Sequence, residues 1–362
     1  MNKLLVEVGE NSYPIFIGEN ILENLGEMLK LYNFSRQVVV ITDSNVNKHH
    51  GEALNKGLHS SLKSFELITI PSGEKSKSFR TIENIVTQML ELGCDRQTAM
   101  LAFGGGVVGD ITGFVASIYK RGVPYLQIPT TLLAQVDSSV GGKTGVNHPL
   151  GKNMVGTFYQ PKMVWTDLKL LRTLPKKEIV CGLGEIIKYG IIKDGELFEL
   201  VAENLEKMLA LDLELLQGIV MKCCRIKAEI VAEDEKENGL RMILNFGHTI
   251  GHALEAELGY KKISHGEAVL LGMLAESKIA LSLKMLSKED FLRIEGLIAK
   301  FNLRDKLKNI DSKRLLQFIG SDKKAVSGRI RFVLPRKIGE VEIVEDIESS
   351  VIKSAVKYVF SF

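Results

Sequence analysis

Disulfide chemistry has almost nothing to work with in this chain of 362 residues: it holds four cysteines, Cys94, Cys181, Cys223 and Cys224, and none stands in a CxxC spacing. A disulfide-stapled scaffold and a zinc ribbon are excluded, and a reducing compartment, the cytoplasm, is expected. Excess charge is missing too, since 47 Lys and Arg against 44 Asp and Glu leave a net charge of +3. With no long basic run, the electrostatic footprint of a nucleic-acid binder is absent, and the expected partner is a small molecule. Long apolar runs are also lacking. Stretch 98–119 is rich in glycine and holds Asp110, and stretch 268–283 holds Glu276 and Lys278; neither makes the ~20-residue apolar span a membrane helix needs. The opening MNKLLVEVGE has only a three-residue apolar stretch before Glu7, short of the ~7–15 of a signal peptide, so no export is expected. What is there is the balance of a soluble globular protein, 45% hydrophobic and 25% charged, long enough for two domains at ~100–200 residues each.

Short β-branched runs alternate with helical stretches early on: VVVITDS (38–44), FELITIPSGE (65–74), TAMLAFGGG (98–106) and VPYLQIPTT (123–131). That alternation predicts a parallel, helix-covered sheet, with ligands in the turns beyond the carboxyl ends of the strands. From about Lys176 a helical period runs almost unbroken to Ile319, with Pro175 placed to start it. Near the end, GRIRFVLPRKIGEVEIVE reads as two short strands around a turn, followed by a last helix. The expectation is an α/β domain over 1–175 and an all-helical domain over 176–362, with no internal repeat.

Three constellations carry chemistry. Gly104 to Gly109 spell G-x-G-x-x-G between a strand and a helix, where backbone N–H groups and a helix N-terminus can approach a pyrophosphate. The motif follows about the third strand, and no acid stands ~20 residues on to hold a ribose; Asp43, at the end of an earlier strand, is the substitute. Next comes QVDSSVGGKTGVNHPLGKNMVG, read as a long polar loop whose Asp137, Ser138, Lys143, Asn147, Lys152 and Asn153 suit a phosphate cradle. Its GGKTG lacks the first glycine of a P-loop, because Asp137 stands there. Last are His248 and His252, at i, i+4, with His265 nearby. With one acid these form a metal site, and Glu185 and Glu267 both qualify on residue type. Arg241, Asn245, His248 and His252 step by four, three and four, one face of a helix if the segment is helical. The Glu185/Lys188 pair lies among Ile186, Ile187, Tyr189 and Ile191, so it is expected to be buried, with charges that need partners.

Taken in order, PSGEKSKS, FGGGVVGDITGFVASIYKRG, IPTTLLAQVDSSVGGKTGVNHPLGKNMVG, GLGEIIKYG, NFGHTIGHALE and SHGEAV resemble the serial signature of the 3-dehydroquinate synthase family over nearly the whole chain. The resemblance implies an N-terminal nucleotide-binding α/β domain, a C-terminal helical domain, NAD, a divalent metal (zinc or cobalt) and a homodimer. Carried over by position, the metal ligands are Glu185, His248 and His265. NAD meets Asp43, Asn45, Ser72, Gly73, Glu74, Lys75, Ser76 and Lys77. Its pyrophosphate lies on Gly105, Gly106, Val107, Val108, Gly109 and Asp110. Thr130, Thr131, Leu133, Asp137, Ser138, Lys143, Lys152, Leu170, Leu171, Arg172, Thr173 and Glu178 complete that set. Substrate contacts are Asp137, Lys143, Lys152, Asn153, Lys188, Lys227, Arg241, Asn245, His252 and a lysine of 322–324, with Lys324 favoured over Lys323. Arg121 reaches the substrate phosphate from the neighbouring subunit.

The implied reaction takes 3-deoxy-D-arabino-heptulosonate 7-phosphate to 3-dehydroquinate and phosphate, through transient NAD-dependent oxidation, β-elimination, reduction and intramolecular aldol closure. The competing readings are a related sugar phosphate cyclase, a metal-dependent polyol dehydrogenase of similar fold, and an NAD-sensing regulator without catalysis. Two positions depart from the family's pattern: Gly184 stands where alanine is common before the ligand glutamate, and Asp43-Ser44 replaces a more usual asparagine.

Overall fold

The computed structural model describes residues 1–237, 239–259, 262–307, 310, 312–321 and 330–362. In chain order the elements are β1 (Asn2–Val6), β2 (Tyr13–Gly18), α1 (Leu25–Leu31), β3 (Val38–Asp43), α2 (Ser44–His59), β4 (Glu66–Ile70), α3 (Phe79–Glu91), β5 (Ala99–Gly104), α4 (Gly106–Ile118), β6 (Tyr125–Pro129), β7 (Lys143–His148), β8 (Gly151–Phe158) and β9 (Met163–Asp167). There follow α5 (Lys176–Ile192), α6 (Gly195–Leu209), α7 (Leu213–Glu233), α8 (His248–Glu257), α9 (His265–Ser282), α10 (Lys288–Ala299), α11 (Ser312–Ser321), β10 (Arg331–Lys337), β11 (Glu340–Glu345) and α12 (Ser349–Ser361). They make two compact units, Met1–Leu174 with Leu211–Lys236, and Pro175–Ala210 with Glu237–Phe362.

The first unit is built on a seven-stranded sheet in the order β1-β2-β9-β6-β5-β3-β4, parallel except for β1 against β2. Its central runs are hydrophobic because both faces are covered. Alternation along β3 divides them: Val39 and Ile41 pack with Ile82, Ile85 and Val115 of α3 and α4, whereas Val38 and Val40 pack with Leu25, Leu54 and Leu58 of α1 and α2. From β3 the chain goes out to the edge strand β4 and returns on the other side of β3 as β5. That reversal opens a crevice at the carboxyl ends of β3 and β5, where Asp43 and Gly104 stand.

The four strands expected here are present. Strands β1, β2 and β9 were not anticipated; each has only five or six residues, and β1 is a mostly exposed edge. The stretch read as a long loop is also different. A π-helical turn, Ala134–Ser138, leads into the antiparallel pair β7–β8. Its glycines serve close backbone approach: a Cβ on Gly145 would lie 2.4 Å from Val155 O, and one on Gly156 1.9 Å from Thr144 O.

The domain boundary also differs from the one expected. The sequence places everything after 175 in the helical domain, but α7 belongs to the first unit, packed on β1 and β2. Helical periodicity identifies a helix and its apolar face without saying which sheet or bundle receives that face.

The second unit holds α5, α6 and α8–α12 with the antiparallel hairpin β10–β11, the two late strands and last helix expected. Helices α5 and α9 are buried nearly all round, as their apolar sequence requires. No described helix is long and apolar enough to cross a membrane.

Candidate functional site

In the first unit the glycine motif sits at the crevice. Gly105 is the N-cap of α4 and offers no capping side chain, so the first N–H groups of the helix have no internal partner. The ground in front of them is kept open by the missing side chains. A Cβ on Gly105 would meet Thr131 Cγ2 at 2.9 Å, and one on Gly106 would meet Ser138 Oγ at 3.1 Å. Such a bare, uncapped N-terminus accepts an anionic pyrophosphate. Asp43 caps α2, its Oδ1 accepting from Asn45 N–H at 2.8 Å and Val46 N–H at 3.1 Å.

A polar network continues along this unit. Lys77, 6% exposed, donates to Asp110 Oδ2 and to Asn153 Oδ1. Asn147 Nδ2 donates to Glu74 Oε1 at 2.6 Å, and Asn153 N–H donates to Asn147 Oδ1 at 2.9 Å. Burial pushes the Asp110 carboxyl above its usual range despite Lys77. From α7, Lys227 Nζ reaches Asp137 twice, the backbone O at 2.8 Å and Oδ1 at 2.9 Å, while Cys224 Sγ donates to Gln135 O. The helix thereby clasps the π-turn, a type of irregularity that recurs at functional sites.

Some expected cofactor contacts are constrained by their surroundings. Leu170, Leu171 and Val108 are buried in the core, so their side chains pack and only their backbone is available. Arg172 pairs with Glu19 at 3.1 Å on the surface, and Thr173 Oγ1 is 2.7 Å from His50 Nε2. Ser72, Gly73, Glu74 and Lys75 form an exposed turn, with Gly73 at φ +99°. Arg121 is exposed and adopts φ +67° after Lys120 at +48°. Glu178, expected with the cofactor set, lies in the first turn of α5 in the other unit. Lys323 and Lys324 lie outside the described residues.

The second unit brings Glu185, His248 and His265 together, one ligand atom from each lying within 4.8 Å of the others. Glu185 is 1% exposed, and neither of its oxygens closes a regular hydrogen bond. Its Oε1 lies 3.4 Å from Nε2 of both histidines, and its Oε2 is in contact with Lys188 Nζ. The outer nitrogen of each ring is occupied: His248 Nδ1 lies 3.1 Å from Phe246 O and His265 Nδ1 3.1 Å from Glu255 Oε2. Because those acceptors carry no hydrogen, each Nδ1 donates and each Nε2 is the nitrogen that faces Glu185, the arrangement that orients metal-binding imidazoles. A buried carboxylate faced by two Nε2 atoms fits a divalent cation.

Electrostatics support the same set. Burial alone would raise the Glu185 carboxyl, but Lys188 and the two imidazoles hold it well below the usual carboxylate range. Burial also lowers His248, against the pull of Glu185. At His265 burial opposes protonation, yet Glu185 and Glu255 lift it to about 10, so a metal entering here displaces a proton.

Glu267 is otherwise engaged, closing a capping box with Ser264 at the start of α9. His252 places its ring 5.3 Å from that of His248 and 5.9 Å from that of His265. Asn245 donates to Glu237 Oε1 at 3.0 Å, and Arg241 and Lys188 are buried. The single helical face drawn through Arg241, Asn245, His248 and His252 is broken. A 3-10 helix, Leu240–Asn245, ends before Phe246, and α8 starts only at His248. Between them Gly247 takes φ +78°, and a Cβ there would meet Met273 Cγ at 2.5 Å; spacing alone does not show such a left-handed step.

Sequence reasoning missed Glu255 and Glu237. Glu255 had a signal, since it follows His252 by three positions on the same helix and so faces the same side.

The family model described as 3-dehydroquinate synthase N-terminal matches residues 67–181, and that described as 3-dehydroquinate synthase C-terminal matches 182–325. A 3-dehydroquinate synthase from Thermodesulfovibrio yellowstonii is 48% identical, across 98% of this chain and 99% of its own. Among solved structures, a 2-epi-5-epi-valiolone synthase from Streptomyces hygroscopicus subsp. jinggangensis, with NAD+ and Zn2+ bound, is similar at TM-score 0.90 and 28% identity, covering 98% of each chain. A 2-deoxy-scyllo-inosose synthase complexed with carbaglucose-6-phosphate, NAD+ and Co2+ is similar at TM-score 0.89 and 25% identity, covering 99% of this chain and 100% of its own. Two consecutive family models spanning 67–325, and near-half identity over almost the full length, mean that this chain belongs to the 3-dehydroquinate synthase family.

Proposed function

We propose that this chain converts 3-deoxy-D-arabino-heptulosonate 7-phosphate to 3-dehydroquinate and phosphate, with NAD and a divalent metal, zinc or cobalt, as cofactors. The observation that carries the reading is the buried Glu185, His248, His265 set with both outer ring nitrogens already engaged. NAD at the Gly105–Gly106 turn supplies a reversible hydride acceptor, and a metal at the Glu185 set supplies a Lewis acid for the substrate's hydroxyls.

The protein's own groups do the rest by holding a flexible, charged sugar acid in one conformation. Arg241 and Lys188, cations kept in a buried setting, suit a carboxylate and a phosphate. Lys143, Lys152, Asn153 and Lys227 supply further donors, and Asn245 and His252 orient hydroxyls. The phosphate of the substrate is itself the base for the elimination, and the cationic groups bind the charge that develops as it leaves. Buried cations such as Lys188 and Arg241 suit an anionic substrate better than the uncharged substrate of a polyol dehydrogenase. The 48% identity to a 3-dehydroquinate synthase, against 25–28% for the two other cyclases, favours it over a different sugar phosphate cyclase. Four free, buried cysteines fit the reducing cytoplasm expected from the sequence.

The test is an assay of purified protein with the heptulosonate phosphate, NAD+ and zinc or cobalt. Phosphate and dehydroquinate are expected in equal amounts, with no accumulating NADH and with activity lost in chelator. NADH accumulating on a polyol, without phosphate release, would overturn the reading in favour of a dehydrogenase.

A further inference from the structure

Glu276 is a buried acid that the proposed chemistry does not use. It lies on α9, eleven residues beyond His265, and is 0% exposed. Its Oε2 accepts the Gly247 N–H at 2.7 Å. The other side of that same peptide unit is the Phe246 carbonyl, which accepts from His248 Nδ1 at 3.1 Å. A trans peptide is planar, with its N–H and C=O pointing in opposite directions. One rigid group therefore stands between the Glu276 carboxylate and the imidazole of His248.

The two histidines are thus supported differently. His265 has a carboxylate, Glu255, directly on Nδ1. His248 has a neutral carbonyl there, but that carbonyl belongs to an amide whose N–H rests on a carboxylate. A negative charge at the N–H polarises the amide and makes its oxygen a stronger acceptor. That in turn orients the ring and raises the basicity of its Nε2, the effect a carboxylate on Nδ1 exerts directly. The register is held by close packing around the same peptide. A Cβ on Gly272 would lie 1.9 Å from Gly247 O, and one on Gly247 would lie 2.7 Å from Val269 O.

We infer that Glu276 is a positioning residue for the metal site, acting on His248 through the Phe246–Gly247 peptide. Helix α9 then supports both imidazoles, carrying His265 at its start and the acid behind His248 two-thirds of the way along. The inference rests on the reading of Glu185, His248 and His265 as metal ligands.

The test loads the full chain with cobalt and compares wild type, Glu276→Gln and Glu276→Ala. Three readouts are taken: the Co2+ dissociation constant, the visible spectrum of the bound ion, and thermal unfolding of the metal-free protein. Glu276→Gln keeps size and an acceptor oxygen but removes the charge. The expected result is about tenfold weaker cobalt binding and a shifted spectrum, with metal-free unfolding close to wild type. Cobalt affinity within twofold of wild type and an unchanged spectrum in Glu276→Gln would overturn the inference, whatever Glu276→Ala does to stability. Wild-type protein that binds no cobalt would instead overturn the metal reading, and this inference with it.

Discussion

A carboxylate taken almost wholly out of water normally becomes harder to ionise, and Glu185 does the opposite because of what surrounds it. Lys188 and two imidazoles are close enough to outweigh the burial, so the group stays an anion ready for a cation. The residue scale also separates ligands from substrate contacts. His265→Ala removes a ligand atom and is expected to weaken metal binding by roughly 100-fold or more, beyond the 10–100-fold typical of losing an outer partner. Arg241→Ala is expected to keep the metal and lose substrate affinity, seen as a raised KM. Metal content and KM measured on both variants check this, and equal metal content in the two would reject the ligand assignment. At this scale the three clustered histidines were legible in the sequence, because i, i+4 spacing survives folding of the local helix. The choice of acid was less so: Glu185 and Glu267 are equal by residue type, and the distinction lies in Ser264, whose S-x-x-E relation turns Glu267 back onto its own helix.

Between residue and domain, the metal site exists because helices can approach closely. A Cβ on Gly184 would meet Gly266 O at 2.7 Å, and one on Gly266 would meet Cys181 O at 2.3 Å; the crossing of α5 and α9 is what brings Glu185 to His265. An alanine at 184 would here force the backbone of α9 to shift beside a ligand. The stronger prediction concerns Gly272, whose Cβ would press on Gly247 O, an immobile backbone atom. Gly272→Ala is expected to destabilise by about 1–3 kcal/mol or more. Gly218→Ala, on the open side of α7 with nothing within 4 Å, is expected to stabilise by about 0.5–1 kcal/mol through helix propensity. Chemical denaturation of both proteins, metal-free, reads the contrast; the same sign in both would refute the packing account. The strands β3, β4, β5 and β6 were legible from short apolar runs that alternate with helical stretches. The β7–β8 pair was not, because its residues serve a ribbon of polar and glycine positions that resembles a loop in composition.

Whole-molecule properties follow from surfaces the fold leaves uncovered. Leu150 is 91% exposed, Met154 60% and Phe158 45%, and β8 has no second strand partner among the described residues. Apolar side chains beside an open strand edge call for a cover, and a second copy of this chain, as the homodimer implied by family resemblance would supply, fits that need; Arg121 would then serve the neighbouring subunit. Sedimentation equilibrium is expected to give a mass of two chains, and the double variant Met154→Glu, Phe158→Glu a mass of one. Wild type that remains a single chain at about 100 µM would reject the dimer. By itself the sequence determined the parallel α/β first half, the helical second half, the glycine turn at the carboxyl end of a strand, and the clustering of His248, His252 and His265, since each is a local pattern read off spacing and residue type. Tertiary structure alone decided that α7 returns to the first unit to hold Asp137 with Lys227, that Gly247 breaks the face through Arg241 and His248, and that Glu255 and Glu276 stand behind the two imidazoles. Those depend on which faces meet across long chain separations, and a period of 3.6 residues carries the face without naming its partner.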